Sequence, residues 1–282
     1  MSSPTKVPRK LWIMWLQGLD EAPFVVKKCI ESWKLHNDTW DIVILTEQNL
    51  NQVVQLAISP DRLAQLSRTK RSNLIRMNLL SEHGGVWADA TTYCMKPLDD
   101  WIDEASTSGF FAFSNPSETR ILGNWFLASH PGNYLVGRMN REQTSFFGDN
   151  QFRNDSLPGR AILFVLRKLF NRNIKSTTYW LSPIVIRFFR VYPYFIFHYI
   201  FAKVVADDVE CDRIWERTPK MSADGPHLIH HMGHLSRLDV KKMERLVNDD
   251  APLYKLSWKF REERYKPETP LHFLLEGRFN PS

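Results

Sequence analysis

The stretch His83-Gly84-Gly85-Val86-Trp87-Ala88-Asp89-Ala90-Thr91 decides the fold, because it joins the end of a helix to a short buried strand. Its two glycines permit a tight turn and a close approach of neighbouring backbone. The apolar residues 86–88 predict a short strand, which delivers the carboxylate of Asp89 to its tip. Thr91 follows two residues later and faces the same side if the chain stays extended. We therefore expect a polar site at the end of this strand.

The residues before this stretch predict a helix over residues 69–83. Leu74, Met77 and Leu80 recur at three-residue spacing, which places them on one helix face. Gly84 and Gly85 end the helix, since glycine adopts the left-handed backbone of a helix C-terminus without strain. The stretch therefore marks a junction between helix and strand.

Strands and helices alternate on either side of this junction. The patterns predict strands at residues 11–16, 40–45 and 110–113, a helix at residues 23–35, and a helical or mixed segment at residues 50–66 that is broken at Pro60. This order is typical of a parallel α/β sheet, in which ligands bind beyond the carboxyl ends of the strands. Three polar clusters lie at such ends: Gln17-Gly18, Thr46-Glu47 and Asp89-Ala90-Thr91.

The composition is that of a globular protein. The chain has 282 residues, of which 43% are hydrophobic, 24% charged and 13% aromatic. It contains no internal repeat and no low-complexity tract. We expect one domain over residues 1–282, with an α/β part at residues 1–130 and a helical part at residues 131–282.

The net charge of +6 is concentrated in the second half of the chain. Residues 1–104 hold 12 basic and 13 acidic residues, whereas residues 105–282 hold 25 basic and 18 acidic ones. Residues 156–206 contain eight basic side chains, twelve aromatic ones and no acidic one, which indicates an anionic partner or surface. Two compatible interpretations stay open: contact with an anionic membrane, or an aromatic helical pair that covers the sheet and forms a cleft. No nucleic-acid motif accompanies the basic residues, so we expect no nucleic-acid partner.

The cysteines and the first residues favour an intracellular setting. Cys29, Cys94 and Cys211 are odd in number and far apart, which predicts buried, reduced thiols rather than disulfides or a zinc site. The first ten residues lack the apolar core of a signal peptide, and no stretch offers about 20 uninterrupted apolar residues. We therefore expect a cytoplasmic protein, with peripheral attachment at the inner face of the membrane left open.

The residues around Asp89 suit the chemistry of phosphate esters. A carboxylate at a strand tip, followed by a hydroxyl, offers the oxygen ligands that a hard divalent cation prefers. Such a cation would act as a Lewis acid on a departing diphosphate. Asn73 and Arg76 can share one face of the preceding helix, where a guanidinium could bind phosphate or sugar oxygens. The competing interpretations are that Asp89 is a turn or N-cap residue and Arg76 a solvated helix residue.

Taken together, these features resemble the capsular polysaccharide synthesis family of glycosyltransferases, which is related to the sugar transferases with a DXD motif. The resemblance is strongest over residues 71–91. It also includes residues 8–18, 22–23, 26–33, 123–129, 194–199 and 226–228, whose order and spacing together are specific.

The resemblance implies a GT-A type nucleotide-sugar transferase fold with a Rossmann-like, mostly parallel sheet and an elaborated helical second half. It implies a retaining hexosyltransferase that moves a sugar from a nucleotide-sugar donor to a glycan or lipid-linked acceptor in polysaccharide or surface glycan synthesis. It also implies a divalent cation, Mn²⁺ or Mg²⁺.

The resemblance assigns roles by position. Asp89 would bind the metal and the donor, and Arg76 would face the donor sugar or diphosphate; these two are the expected catalytic residues. Gln17, Gly18 and Thr46 would line the nucleotide pocket, and Asn124 and Trp125 would shape the sugar or acceptor side. The other substrate-binding candidates are Trp15, Asn73, Gly85, Thr91, His230 and His231.

Residues 225–234 hold four of the nine histidines. A histidine from this segment could complete the metal shell or contact the diphosphate, or His230 and His231 could be packed or surface imidazoles. No carboxylate falls among them at the spacing of a zinc enzyme, so we expect no separate zinc site.

Two departures from the family pattern leave a second function open. Many relatives have Asp where this chain has Asn73, and Asp89-Ala90-Thr91 lacks the second carboxylate of the DXD motif. These departures motivate the alternative of a catalytically degenerate scaffold that binds a glycan or nucleotide within a polysaccharide synthesis complex. The mechanism of retention also stays open between front-face attack and double displacement, for which Asp149 is a candidate nucleophile.

Overall fold

Seven strands are present in the computed structural model, which describes residues 6–260 and 262–276. They are β1 (Lys10–Met14), β2 (Asp41–Leu45), β3 (Gly85–Asp89), β4 (Thr92–Cys94), β5 (Phe110–Ser117), β6 (Arg120–Ser129) and β7 (Leu253–Lys255). Five of them form one sheet in the order β2-β1-β3-β6-β5, and β4 and β7 form a separate two-stranded sheet.

The main sheet is mixed. β1 pairs in parallel with β2 and with β3, as the alternation of strands and helices predicted. β6 runs antiparallel to β3 and to β5, so the expectation of a mostly parallel, Rossmann-like sheet is corrected at this edge. Only Glu118 and Thr119 separate β5 from β6, which is too short for the crossover that parallel neighbours need. The α/β class is confirmed, and the GT-A type stays a prediction.

Thirteen helices accompany the strands in the described ranges. They are α1 (Phe24–His36), α2 (Leu50–Val53), α3 (Pro60–Gln65), α4 (Arg68–Glu82), α5 (Ile102–Ala105), α6 (Tyr134–Gly148), α7 (Leu157–Phe170), α8 (Ile174–Thr177), α9 (Ile196–Asp207), α10 (Val209–Arg217), α11 (Leu228–Met232), α12 (Val240–Val247) and α13 (Pro270–Leu275). Short 3-10 helices lie at Leu98–Asp100, Thr178–Leu181 and Glu262–Arg264, and a π-helix lies at Ile184–Phe189. Pro60 begins α3, because the first turn of a helix does not need the N–H that proline lacks.

The central strands β1 and β3 of the main sheet are buried on both faces. Trp12 and Trp87 belong to one hydrophobic layer, which also contains Leu74 of α4. Ile13 belongs to the opposite layer, together with Trp33 of α1. Because helices cover both faces, β1 and β3 are apolar along their length, as expected of strands buried in this way.

The two glycines behave as the junction requires. Gly84 and Gly85 have φ angles of +63° and +91°, in the region that favours glycine. A Cβ atom on Gly85 would lie 2.5 Å from the main-chain oxygen of Lys10 in the neighbouring strand. The predicted junction between α4 and β3 is therefore confirmed.

The second half of the chain contains one buried and one exposed apolar region. Most of residues 192–201 are buried, and Phe201 of α9 stacks on Phe110 of β5 with ring centroids 6.0 Å apart. This part covers the sheet, as one of the two interpretations predicted. α7 instead exposes Leu157, Phe164 and Val165. β7 is a strand in the half predicted to be helical, and the division at residue 130 stays a prediction.

The three cysteines are buried and free, as predicted. Within residues 6–260 and 262–276, no helix combines the length and apolar character needed to cross a membrane. Residues 1–5, 261 and 277–282 of the predicted domain lie outside the described residues.

Candidate functional site

A cleft of about 430 Å³ opens at the carboxyl ends of β1 and β3, beside the first two turns of α4 and the end of β7. This is the edge of the sheet where parallel strands of α/β proteins present ligand sites. The charged residues lining it are Arg68, Arg76, Asp89 and Lys255. Three cations and one carboxylate therefore line the cleft, which favours an anionic ligand.

Asp89 is the last residue of β3, and its side chain is 26% exposed towards this cleft. Its Oδ1 accepts a hydrogen bond from Trp87 Nε1 at 3.0 Å and lies 3.2 Å from Arg76 Nη2. Its Oδ2 lies 3.4 Å from Lys255 Nζ. Burial alone would raise the pKa of this carboxyl, but the two cations outweigh burial and hold the pKa below its usual value. Asp89 is therefore an anion that the fold keeps charged.

Arg76 is a buried side chain with several fixed partners. Its Nη2 donates to Ser72 Oγ, one helical turn earlier, at 2.9 Å, and its Nη1 donates to the main-chain oxygen of Asn124. The guanidinium also lies 4.9 Å from the centre of the Trp87 ring. Arg76 lines the cleft, but most of its donors are already hydrogen-bonded within the protein, and its predicted contact with the donor sugar or diphosphate stays a prediction.

Lys255 reaches the site from the far end of the chain. β7 pairs antiparallel with β4, which sets Lys255 opposite Thr92. The main-chain N–H of Leu256 donates to the oxygen of Thr91 at 2.7 Å, so the two segments are joined directly beneath the site. The Lys255 ammonium donates to Thr91 Oγ1 as well as pairing with Asp89.

Two tryptophans form an aromatic wall on the other side of the cleft. Trp15 and Trp258 meet edge to face, with ring centroids 6.1 Å apart, and Trp258 is half exposed. The Nε1 atom of Trp15 is buried and has no hydrogen-bond partner among the described residues. A buried N–H without a partner is costly, which favours a ligand that accepts a hydrogen bond here.

Of the other residues predicted to bind the nucleotide, Gln17 lines the cleft and Thr46 does not. Gln17 lines the cleft, and Gly18 follows it in a turn with φ of +83°. Thr46 lies at the end of β2, where its N–H donates to Asn49 Oδ1 at 2.8 Å rather than lining the described cleft. Gly85 packs against Lys10 at the opposite end of β3, so its position is explained by strand packing.

Asn73 and Asn124 lie next to Arg76 rather than in the cleft lining of the described chain. Asn124 Nδ2 donates to Asn73 Oδ1 at 3.1 Å, and both residues connect α4 to β6. Asn73 thus holds Asn124, whose main-chain oxygen accepts a hydrogen bond from Arg76.

Of the two residues predicted for the sugar or acceptor side, Trp125 lies in an aromatic cluster. Trp125 stacks on Phe113 at 5.1 Å and meets His227 edge to face at 5.4 Å. His230 and His231, predicted for the metal shell or the diphosphate, are exposed on α11 outside the described cleft lining, with rings 6.3 and 6.0 Å from His227. Burial and the two neighbouring histidines lower the pKa of His227 to about 4, so this imidazole is neutral near pH 7.

The residues of the cleft do not fit a divalent cation held in the usual way. Asp89 is the single carboxylate in its described lining, and Lys255 contacts both Asp89 and Thr91, the two oxygen ligands that the sequence offered. Across the described ranges, no group of three His, Cys, Asp or Glu side chains is placed to hold a metal ion. A hard cation takes about six oxygen ligands, of which this cleft supplies few.

Sequence reasoning missed Lys255, Arg68 and Trp258. Lys255 lies far from Asp89 in sequence and is one of 37 basic residues in the chain. No local pattern distinguishes it, because only the pairing of β4 with β7 brings it to the carboxylate.

Comparisons with known proteins identify the family of the chain. The family described as capsular polysaccharide synthesis protein matches residues 2–274. An initiation-specific alpha-1,6-mannosyltransferase from Candida albicans is 24% identical over 107 residues, which cover 35% of this chain and 28% of that protein. The protein of the same name from Saccharomyces cerevisiae is 25% identical over 114 residues, covering 35% of this chain and 22% of that protein. The chain thus matches about a quarter of the length of these curated relatives.

A solved structure, the PaToxG glycosyltransferase, superposes with a TM-score of 0.41 at 13% identity and covers 75% of this chain and 84% of that one. That TM-score is too low to establish a shared fold.

Proposed function

The chain belongs to the capsular polysaccharide synthesis protein family, and on that premise we propose that it is a glycosyltransferase acting on a nucleotide-sugar donor. The sugar passes to a glycan or lipid-linked acceptor in polysaccharide or surface glycan synthesis. The two relatives named as mannosyltransferases support sugar transfer and make a hexose such as mannose the first donor sugar to test.

One observation carries the proposal: Asp89 stands at the carboxyl end of β3 in a cleft that Gln17 and Arg76 also line. A carboxylate serving only as a turn or N-cap residue accepts hydrogen bonds from nearby main-chain N–H groups. The oxygens of Asp89 instead face the side chains of Trp87, Arg76 and Lys255. This arrangement favours a role in ligand binding over a purely local one.

The lining of the cleft suggests how a nucleotide-sugar would lie in it. The aromatic wall of Trp15 and Trp258 suits the flat face of a nucleobase, and the free N–H of Trp15 suits a carbonyl or hydroxyl oxygen of the nucleoside. The cationic side chains of the lining, Arg68 and Lys255 among them, suit the diphosphate. The sugar would then lie near Asp89.

We assign retention, which the resemblance implies, to front-face attack. Asp89 is the one carboxylate in the described cleft lining, and two cations engage it, which makes it a poor nucleophile. Asp149 ends α6 and accepts a hydrogen bond from Ser145 at 2.5 Å, outside that lining. The departing phosphate oxygen would therefore take the proton of the acceptor hydroxyl.

The divalent cation that the resemblance implies, Mn²⁺ or Mg²⁺ at Asp89, is an untested expectation that the single carboxylate of the described cleft lining does not favour, and no step above depends on it. The predicted cytoplasmic location also stays a prediction.

The test is a panel of nucleotide-sugars incubated with purified protein, with release of the nucleoside diphosphate as the measurement. We expect turnover of one donor and a loss of at least about a hundredfold in Asp89→Asn, which keeps the shape but removes the charge. Asp103→Asn is the matched control, because Asp103 is half exposed and pairs only with Lys6 among the contacts described. Nucleotide binding without turnover of any donor would instead indicate the scaffold.

A further inference from the structure

Lys255 occupies the position beside Asp89 where a DXD-type transferase is expected to hold its metal. The Lys255 ammonium contacts Asp89 Oδ2 and Thr91 Oγ1, the two oxygens that correspond to the ends of the motif. We propose that this ammonium replaces the divalent cation and binds the donor diphosphate directly. The inference rests on the proposed transferase function and names the group that stabilises its leaving group.

The position of Lys255 is fixed by the backbone, as a replacement for a metal requires. Its main-chain N–H donates to the oxygen of Pro226 at 2.7 Å, and it is the last residue of β7 to pair with β4. The side chain is 20% exposed and lines the cleft, so a ligand can reach the ammonium. A point charge on a flexible stem can turn from Asp89 to a phosphate oxygen without moving the strand.

The charges of the cleft agree with this role. Arg68, Arg76 and Lys255 outnumber Asp89 by two, which matches the charge of a bound diphosphate without a metal ion. In the transfer, the bond between the sugar C1 and the β-phosphate oxygen breaks, and its electron pair stays on the phosphate. The acceptor oxygen forms the new bond to C1, and its proton passes to the departing phosphate. Lys255 remains protonated and donates a hydrogen bond to the oxygen that gains charge.

The experiment measures binding of UDP and GDP by calorimetry, in EDTA and in Mn²⁺, for the wild type, Lys255→Met and Lys255→Arg. Lys241→Met on α12 is the control, because Lys241 is exposed and lies outside the cleft lining. We expect one nucleotide to bind in EDTA, a loss of at least about tenfold in Lys255→Met, and partial recovery in Lys255→Arg. Thermal unfolding of each variant is the check on folding, and we expect an intact fold because Asp89 keeps Arg76 as a partner in all of them.

Each result decides between the two proposals. Nucleotide binding that requires Mn²⁺ and is unchanged in Lys255→Met overturns the replacement of the metal but leaves the transferase function standing. No binding of either nucleotide under both conditions, together with no turnover of any nucleotide-sugar, overturns the transferase function and this inference with it.

A second inference rests on a separate observation, the exposed face of α7. Among the described residues, fourteen large hydrophobic side chains are exposed, and eight of them lie within residues 157–194. On α7, Gly159, Leu163 and Leu166 face the core. Leu157, Phe164 and Val165 lie on the opposite side, where they are 80%, 62% and 53% exposed. α7 is therefore apolar on both sides, and only one side is covered in the described chain.

The charged residues beside Leu157, Phe164 and Val165 indicate which partner binds this exposed face of α7. Arg160 and Arg167 flank it at helical spacing, and Lys168 lies within it; all three are exposed. No acidic residue occurs between Asp155 and Asp207. Aromatic and aliphatic side chains bordered by cations alone are typical of helices that lie in the interface of an anionic bilayer. We infer that α7 docks on a bilayer containing anionic phospholipid.

Co-sedimentation with vesicles tests this surface. We expect the wild type to bind vesicles of phosphatidylglycerol and phosphatidylcholine, to leave pure phosphatidylcholine vesicles unbound, and to lose at least about tenfold in affinity in Phe164→Ser/Val165→Ser. The control is Val240→Ser/Val247→Ser on α12, whose side chains are also exposed. The inference is overturned if the wild type does not bind anionic vesicles, or if Phe164→Ser/Val165→Ser binds them as tightly as the control does. If the wild type dimerises and the double variant does not, the occupant of this face is a second copy of the chain.

Discussion

Arg76 and Asp89 form an ion pair whose two partners are unequally buried, with side chains 4% and 26% exposed. Removing the guanidinium leaves Asp89 with Lys255 as its one paired cation and Trp87 as a neutral hydrogen-bond donor, and it takes a donor from the main-chain oxygen of Asn124. We expect Arg76→Met to lower the free energy of unfolding by about 3 kcal/mol, measured by urea denaturation.

The double variant Arg76→Met/Asp89→Leu gives the control for this pair. Replacing both partners by apolar groups removes the uncompensated charge, so stability should recover in part. A double variant less stable than Arg76→Met alone would contradict the assignment of the loss to the ion pair.

His234 links the stability of the fold to pH. Burial, and to a lesser degree His230 and Lys255, lowers the pKa of His234 from 6.5 to about 4. The folded chain therefore keeps this imidazole neutral between these values while the unfolded chain binds a proton. The stabilisation is complete above about pH 6.5 and is lost as the pH falls towards 4.

We expect the free energy of unfolding to fall by about 1–3 kcal/mol over this interval on account of His234, and the fall to be smaller in His234→Phe. The measurement is chemical denaturation at a series of pH values. The control is His272→Asn, in which we expect the same fall as in the wild type. A fall in His234→Phe as large as that of the wild type would contradict the assignment to His234.

At the scale of elements, the junction between α4 and β3 carries the strictest local requirement. Gly85 has a φ of +91°, and a Cβ atom at this residue would lie 2.5 Å from the Lys10 oxygen, which belongs to backbone and cannot move aside. Gly132 has a similar φ of +70° but no atom within 4 Å of the corresponding position. We expect Gly85→Ala to cost about 3 kcal/mol or more in unfolding free energy and Gly132→Ala about 1 kcal/mol. Equal losses in thermal melts would show that strain alone, and not the contact between strands, sets the cost.

The same elements show what the sequence could and could not predict. β1, α1, α4 and β3 follow from patterns within about 15 residues, because one face or both faces of each element must be apolar. The strand β6 and its antiparallel direction were both missed. The apolar pattern of Arg120–Ser129 does not distinguish a parallel from an antiparallel strand. β4 and β7 were missed because strands of three residues are too short to show a period.

At the scale of the molecule, the site unites five distant parts of the chain. Residues 14–17, 68–76, 87–91, 194 and 255–258 all contribute to the lining of the cleft. The first three parts, apart from Arg68, were predicted from the carboxyl ends of strands and from the helix that precedes Gly84. The last part depends on a tertiary pairing between β4 and β7, which no local pattern encodes.

A ligand that bridges these parts should stabilise them together. A nucleoside diphosphate at about 100 times its Kd should raise the unfolding free energy by about 2.7 kcal/mol, because it binds only the folded chain. Hydrogen exchange should then slow in residues 86–94 and also in residues 253–258, although more than 150 residues separate them. Trp258→Ala should weaken the protection of both segments, whereas Val240→Ala should leave it unchanged. Protection confined to residues 86–94 would mean that the ligand binds the strand end without Lys255 and Trp258, and that the C-terminal part of the cleft has another purpose.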